Sequence, residues 1–148
     1  MSRVYWDSML FIYMLEGNPA FSPIVDGILR EMDQRDDTLC TSIFCLGEVL
    51  TGPRKFNSLA GIDKVKRYFS GDSLDVLPFT VETADRFSLI RATTAAKPAD
   101  AIHLASAAAA STDVFFTNDA KLLKLHLQIP GIQFITGLNT RIYGQFLP

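Results

Sequence analysis

The chain has little cysteine and little histidine, two of each in 148 residues. Cys40 and Cys45 are five positions apart, which fits neither a CxxC redox pair nor a zinc-binding pattern. They flank an expected strand-to-helix junction and read as reduced core residues of a cytosolic protein. Charge of one sign is also scarce: the formal net charge is −2, so no global basic field points to nucleic acid. That weakens a nucleic-acid reading without removing it, because a bound metal or a local patch also supplies positive charge. No apolar run approaches the roughly 18 residues that a membrane span needs. The first residues hold Arg3, Asp7 and Glu16, so a signal-peptide layout is missing and a cytoplasmic location is expected. Repeats, low-complexity linkers and composition breaks are absent too, and 1–148 reads as a single domain.

What is present is the profile of a soluble globular protein, 48% apolar and 20% charged. Arg3 to Trp6 reads as a short buried strand ending at Asp7. From Ser8 the period lengthens, with Phe11, Ile12 and Leu15 at helical spacing until Gly17-Asn18-Pro19. Ile24, Ile28, Leu29 and Met32 mark one face of a second helix, which Asp33 to Asp37 ends. Leu39 to Ser42 is a second strand, and Ser42 can cap a helix carrying Leu46, Glu48 and Val49 that stops at Gly52-Pro53. Lys55 to Ser70 is amphipathic, Leu74 to Phe79 a third strand, and Thr80 caps a helix to about Ala95. Pro98 opens an alanine-rich helix to about Ala110. "DVFFT" at Asp113 to Thr117 is a fourth strand, Asn118-Asp119 opens a short helix through Leu125, and Ile132 to Ile135 is a fifth strand. The tail from Thr140 to Pro148 reads as peripheral. This alternation predicts an α/β fold of three layers, with a mostly parallel sheet of about five strands covered by helices on both faces.

In such a sheet, ligands bind beyond the carboxyl ends of the strands, where strand order reverses. Asp7 follows the first strand and Asp119 the fourth. Glu48 and Asp100 interrupt the otherwise apolar helical segments "FCLGEVLTG" and "KPADAIHLASAAAA". Each acid alone has a plain explanation: Asp7 and Asp119 as caps, Asp100 as a first-turn acid favoured by the helix dipole, Glu48 as a side chain reaching water. Together they suggest one pocket. Two unit charges about 4 Å apart repel by roughly 4 kcal/mol at an effective dielectric near 20, so such a pocket calls for a counter-charge. Oxygen donors without a cysteine or histidine pair favour Mg²⁺ or Mn²⁺ over Zn²⁺. Hard cations in acidic pockets serve phosphoryl chemistry.

Four segments then resemble one family in order and spacing. "VYWDSMLFIYMLEG", "TSIFCLGEVLTGP", "KPADAIHLASA" and "FFTND" are similar to the acid-bearing motifs of PIN domains, and more narrowly of VapC-type ribonuclease toxins of toxin–antitoxin pairs. The resemblance covers about Val4 to Ile135. It implies a PIN-like fold, and Asp7, Glu48 and Asp100 as metal-site acids. Asp119 is the fourth, acting in this family at times through water. It also implies that Ser8 and Thr117 orient the acids, that Ser42 does the same or only caps its helix, and that Asn118 is an extra ligand or phosphate contact. The activity implied is a Mg²⁺- or Mn²⁺-dependent endoribonuclease that hydrolyses RNA with a metal-activated water. The partners implied are an RNA substrate, a cognate antitoxin protein and a second copy in a homodimer. One departure is Met9, where many members have Asn.

Other residues are weighed beside these. His103, three after Asp100, reads as a structural histidine more readily than a site residue, and His126 as surface. Lys97 is placed to pair with an acid or reach a phosphate. "RKFN" and "KVKRYF" are the best local basic patches, and Phe11, Met14, Leu50 and Phe56 are candidates for a partner groove or, more simply, for core. A haloacid-dehalogenase-like phosphatase would require Asp-x-Asp, but position 9 is Met. A receiver domain would require an acid pair that Met1 to Tyr5 lacks. A non-catalytic module of the same fold, binding RNA or a partner, is the remaining alternative, and the presence of all four acids argues against it.

Overall fold

A computed structural model describes residues 1–138. The expected tail from Thr140 to Pro148 lies outside the described residues. The element order is β1 (Arg3–Trp6), α1 (Ser8–Glu16), α2 (Ser22–Arg35), β2 (Thr38–Ser42), α3 (Ile43–Lys55), α4 (Leu59–Phe69), β3 (Asp75–Leu77), α5 (Val81–Thr93), α6 (Pro98–Ala109), β4 (Thr112–Phe116), α7 (Ala120–Leu123) and β5 (Ile132–Thr136). The strands form one sheet in the order β3-β2-β1-β4-β5, and every pairing is parallel. The expected three-layer α/β architecture is what the chain adopts.

Alternation along the central strands builds both cores, because successive side chains of a strand point to opposite faces. Val4, Trp6, Val114 and Phe116 face one core, shared with Leu10, Phe11, Val25, Met32 and Val65 from α1, α2 and α4. Tyr5 and Phe115 face the other, with Ile90, Leu104 and Ala105 from α5 and α6. The buried alanines Ala101, Ala105, Ala107 and Ala108 let α6 lie close on the sheet. Cys40 and Cys45 are buried and unpaired. Burial pushes both thiols up, Cys40 to about 12, which leaves neither as a ready nucleophile.

Several boundaries differ from the sequence-based expectation. Helix α3 does not stop at Gly52-Pro53 but runs to Lys55. In the last turn Pro53 removes a single donor, and the backbone closes around it through Phe56 N–H on Gly52 O (3.2 Å) and Ser58 N–H on Pro53 O (2.9 Å). Helix α4 accordingly starts at Leu59 rather than Lys55, with the Ser58 hydroxyl capping Gly61 N–H at 3.1 Å. Strand β3 is shorter than Leu74 to Phe79 because Pro78 has no N–H to extend it. On α2 the buried positions are Val25 and Met32, while Ile24 is exposed. Phe11 is core, Met14 and Leu50 pack partly against it, and Phe56 is exposed, so those residues share no groove.

Gly131, before β5, has φ +96°, and a Cβ there would lie 2.6 Å from the Ala108 carbonyl oxygen. Gly131→Ala is expected to cost about 2–4 kcal/mol through strain and clash, read as a lower urea midpoint.

Candidate functional site

The chain runs outward from β1 through β2 to β3, then returns to β4 and β5 on the other side. Strand order therefore reverses between β1 and β4, and the carboxyl ends of those strands frame the crevice that this topology reserves for ligands. Asp7 follows β1 directly. Its backbone N–H donates to Phe116 O at 3.1 Å, which ties the ends of the two strands together.

The Asp7 carboxylate is buried and every short contact to it is a donor. Oδ1 accepts from Ser8 Oγ (3.2 Å) and from Met9 N–H (3.4 Å), the latter being the N-cap bond of α1. Oδ2 accepts from Thr117 Oγ1 at 2.7 Å, across 110 positions of sequence. Capping thus explains one oxygen only, and the other is held by the residue after β4. Thr117 is fully buried and also accepts from Asp119 N–H at 3.1 Å, so one hydroxyl sets both acids. Asp119 Oδ1 accepts from Lys121 N–H at 2.9 Å and caps α7.

Glu48 on α3 and Asp100 in the first turn of α6 approach from the two helical layers. Asp100 reports on all four acids. Burial raises its pKa first, then the charges of Asp119 and Asp7, with a smaller push from Glu48; His103 opposes them. Like charges nearby disfavour the ionised form of a carboxyl, which is the direction seen at Asp100. As they stand, no three His, Cys, Asp or Glu side chains among the described residues converge closely enough to cage one ion. Glu48, Asp100 and Asp119 are all only partly buried, so their carboxylates have room to turn inward, whereas Asp7 is fixed. The donor set is all oxygen and suits a hard cation such as Mg²⁺ or Mn²⁺.

Glu48 is not left loose. His103, 2% exposed, bonds Glu48 Oε1 through Nε2 and the Tyr5 hydroxyl through Nδ1, the latter at 2.7 Å. With Glu48 ionised and able only to accept, Nε2 carries the hydrogen and Nδ1 accepts from the Tyr5 O–H. Burial pushes the Tyr5 pKa well above its ordinary value, which keeps that donor protonated. The His103 ring is also wedged edge-on between Tyr5 and Phe44. A buried chain of Tyr5, His103 and Glu48 therefore connects the floor of the sheet to the rim of the site.

Of the two readings of His103, structural or touching the site, the structure shows a buried histidine that is bonded to Glu48, and it adds Tyr5, which sequence reasoning treated as an ordinary strand residue. The histidine was visible in the sequence, but its partner Glu48 is 55 positions away. The surface reading of His126 is corrected. It is half-buried, accepts from Ile135 N–H at 3.0 Å and stacks on Phe134. Ser42 caps α3 through Cys45 N–H at 3.1 Å, the plainer of its two expected roles. Asn118 donates its amide to the Tyr13 hydroxyl at 3.2 Å, so in this arrangement its nitrogen supports α1. Met9 is 38% exposed, in the first turn of α1.

Three structures of comparable fold come from toxin–antitoxin complexes. VapBC2 from Rickettsia felis, bound to a promoter DNA fragment, matches with 16% identity over 91% of this chain and 98% of that one, TM-score 0.72. DNA-bound VapBC from Salmonella typhimurium matches with 23% identity over 93% and 99%, TM-score 0.66. A toxin–antitoxin complex from Klebsiella pneumoniae matches with 19% identity over 87% and 94%, TM-score 0.65. At these identities the likeness is one of fold. No curated protein is similar enough to count as a relative. A sequence profile of the PIN domain matches residues 4–126, the stretch that holds Asp7, Glu48, Asp100 and Asp119. The chain therefore belongs to the PIN domain family.

Proposed function

We propose that this chain is a VapC-type toxin, a metal-dependent endoribonuclease that hydrolyses RNA phosphodiester bonds. The observation that carries the reading is the placement of Asp7 and Asp119 at the ends of β1 and β4, where strand order reverses, with the Thr117 hydroxyl bonded to both. Asp7, Glu48 and Asp100 would hold a Mg²⁺ or Mn²⁺ ion, with Asp119 beside them or acting through water. Such an ion, when bound, polarises a phosphodiester and lowers the pKa of a water molecule. Ser8 and Thr117 fix the Asp7 carboxylate, and Asp119 follows through Thr117. His103 aims Glu48. No side-chain nucleophile is required, and the buried cysteines offer none. The toxin–antitoxin origin of the structural neighbours supports an antitoxin partner. A homodimer and a cytoplasmic setting complete the proposal. Among the described residues no helix is long and apolar enough to cross a membrane.

The test is cleavage of single-stranded RNA by the purified protein in Mg²⁺ or Mn²⁺ and its loss in EDTA. Binding must also appear in stability. At a free ion concentration of about 100 times Kd, linkage adds about 2.7 kcal/mol, or roughly 5–10 °C in melting temperature for a chain of this size. A flat melting curve across Mn²⁺ concentrations would instead favour a binding module without catalysis.

A further inference from the structure

Beside Asp100 opens a groove of about 400 Å³ between the start of α6 and α7. Its apolar wall is Ala95, Ala96 and Leu125, and its rim carries Lys97, Lys121 and Lys124. The volume lies at the lower end of the range for small-ligand sites, about 300–1,000 Å³. It suits one unstacked nucleotide rather than a helix of duplex.

What sets the three lysines apart is that they gather around one groove and none is paired with an acid. Arg35, Arg67 and Arg86 pair with acids. Arg3, Arg91 and Lys64 donate to the carbonyls of Ala110, Ala96 and Leu15. Among the described residues, Lys97, Lys121 and Lys124 form no ion pair. In a protein with net charge −2, three unspent ammonium groups around one apolar groove form a local cationic site. Lys121 and Lys124 are three residues apart and share a helical face. The groove reaches the candidate site at Asp100, which is among its lining residues.

We propose that this groove is a nucleotide subsite. It takes one splayed base of a single-stranded RNA, adjacent to the bond held at the acids, while Lys97, Lys121 and Lys124 contact the flanking phosphates. The proposal rests on the nuclease reading for the identity of the occupant. An unstacked base seated on aliphatic carbon and fixed by phosphate contacts is a mode available to single strands and closed to A-form duplex. Such a subsite would choose where the strand is cut, whereas the acids would set only whether it is cut.

The experiment measures binding of a short fluorescein-labelled single-stranded RNA by anisotropy in EDTA, over a range of salt, and maps cleavage positions separately in Mn²⁺. Lys121→Ala/Lys124→Ala is expected to weaken binding about tenfold at low salt. It should lower the salt slope by about 1.4, two contacts at about 0.7 each for single strands. Ala95→Gln, which narrows the groove without altering charge, should weaken binding with the slope unchanged and shift the cleavage positions. Lys66→Ala/Arg67→Ala, on the exposed face of α4, serves as the charge control and should leave binding near wild type. Equal losses in the groove and control variants would overturn the subsite, as would wild-type binding in both groove variants. A wild-type protein that fails to cleave in Mn²⁺ would overturn the nuclease reading alone, because the binding arm is read without metal.

Discussion

Asp7→Asn is expected to abolish metal-dependent RNA cleavage while leaving the fold intact. The substitution is nearly isosteric, and Asn is as good an N-cap as Asp, so the Met9 N–H bond of α1 survives. The Thr117 hydroxyl, which now donates to Oδ2 at 2.7 Å, can turn to accept from an amide instead. What disappears is the negative charge at the one acid whose position is already fixed. Loss of an outer-shell partner typically costs about 10–100-fold in metal affinity or activity. Loss of a direct ligand should exceed that, so the expected fall is at least about a hundredfold. Steady-state cleavage and far-ultraviolet circular dichroism on the same sample separate the two effects. Wild-type cleavage by Asp7→Asn would remove Asp7 from the site.

His103→Leu carries the second large effect. The leucine removes the donor to Glu48 and the acceptor of the buried Tyr5 O–H, a loss that costs about 1–3 kcal/mol. Stability should therefore drop, and Mn²⁺ affinity with it by about 10–100-fold. His103→Gln separates aiming from packing, because its side-chain N–H lies where Nε2 donates. It should recover much of the Mn²⁺ affinity without recovering the stability. Tyr5→Phe should leave the ring packing and the Nε2–H tautomer held by Glu48 while removing the donor to Nδ1, visible as an Nδ1 nitrogen resonance moved toward that of a free, unprotonated ring nitrogen. If all three variants bind Mn²⁺ as wild type does, the chain from Tyr5 to Glu48 is only a packing feature.

The raised pKa of Asp100 gives a result of opposite sign for stability. A carboxyl whose pKa is higher in the folded state favours folding when protonated. That contribution is complete at acid pH and is lost as pH rises through the folded pKa. At neutral pH in EDTA, Asp100 is then a source of instability, and Asp100→Asn should raise the melting temperature by a small amount, about 1–3 °C. Partial exposure keeps the effect modest, since water screens the neighbouring charges. In Mn²⁺ the order should invert, because the wild type gains from binding and the variant does not.

The positions of the acids were legible in the sequence because of where polarity interrupts apolar pattern. Asp7 ends a buried run at a strand terminus, Asp119 follows "FFT", and Glu48 and Asp100 break helical faces. Parallel strands joined by helices then leave few topologies, and the order β3-β2-β1-β4-β5 places β1 and β4 side by side. The supporting contacts were less legible because they are long-range. Thr117 reaches Asp7 across 110 positions, and Tyr5 reaches His103 across 98. Nothing local distinguishes such a tyrosine from any strand residue. The lysine groove was half visible. Lys97 stands near Asp100 in sequence, but Lys121 and Lys124 join it only through the packing of α7. Helix α3 ran past Pro53 because a proline near a helix end removes one hydrogen bond rather than a whole turn.

The central claim is that Asp7, Glu48, Asp100 and Asp119 serve a single cation at the reversal point of the sheet. Its most direct measurement is anomalous X-ray scattering from a crystal of the protein grown with Mn²⁺. The expected result is a manganese peak between the ends of β1 and β4, with oxygens of Asp7, Glu48 and Asp100 turned onto it. A manganese peak elsewhere, with these carboxylates directed away from one another, would contradict it.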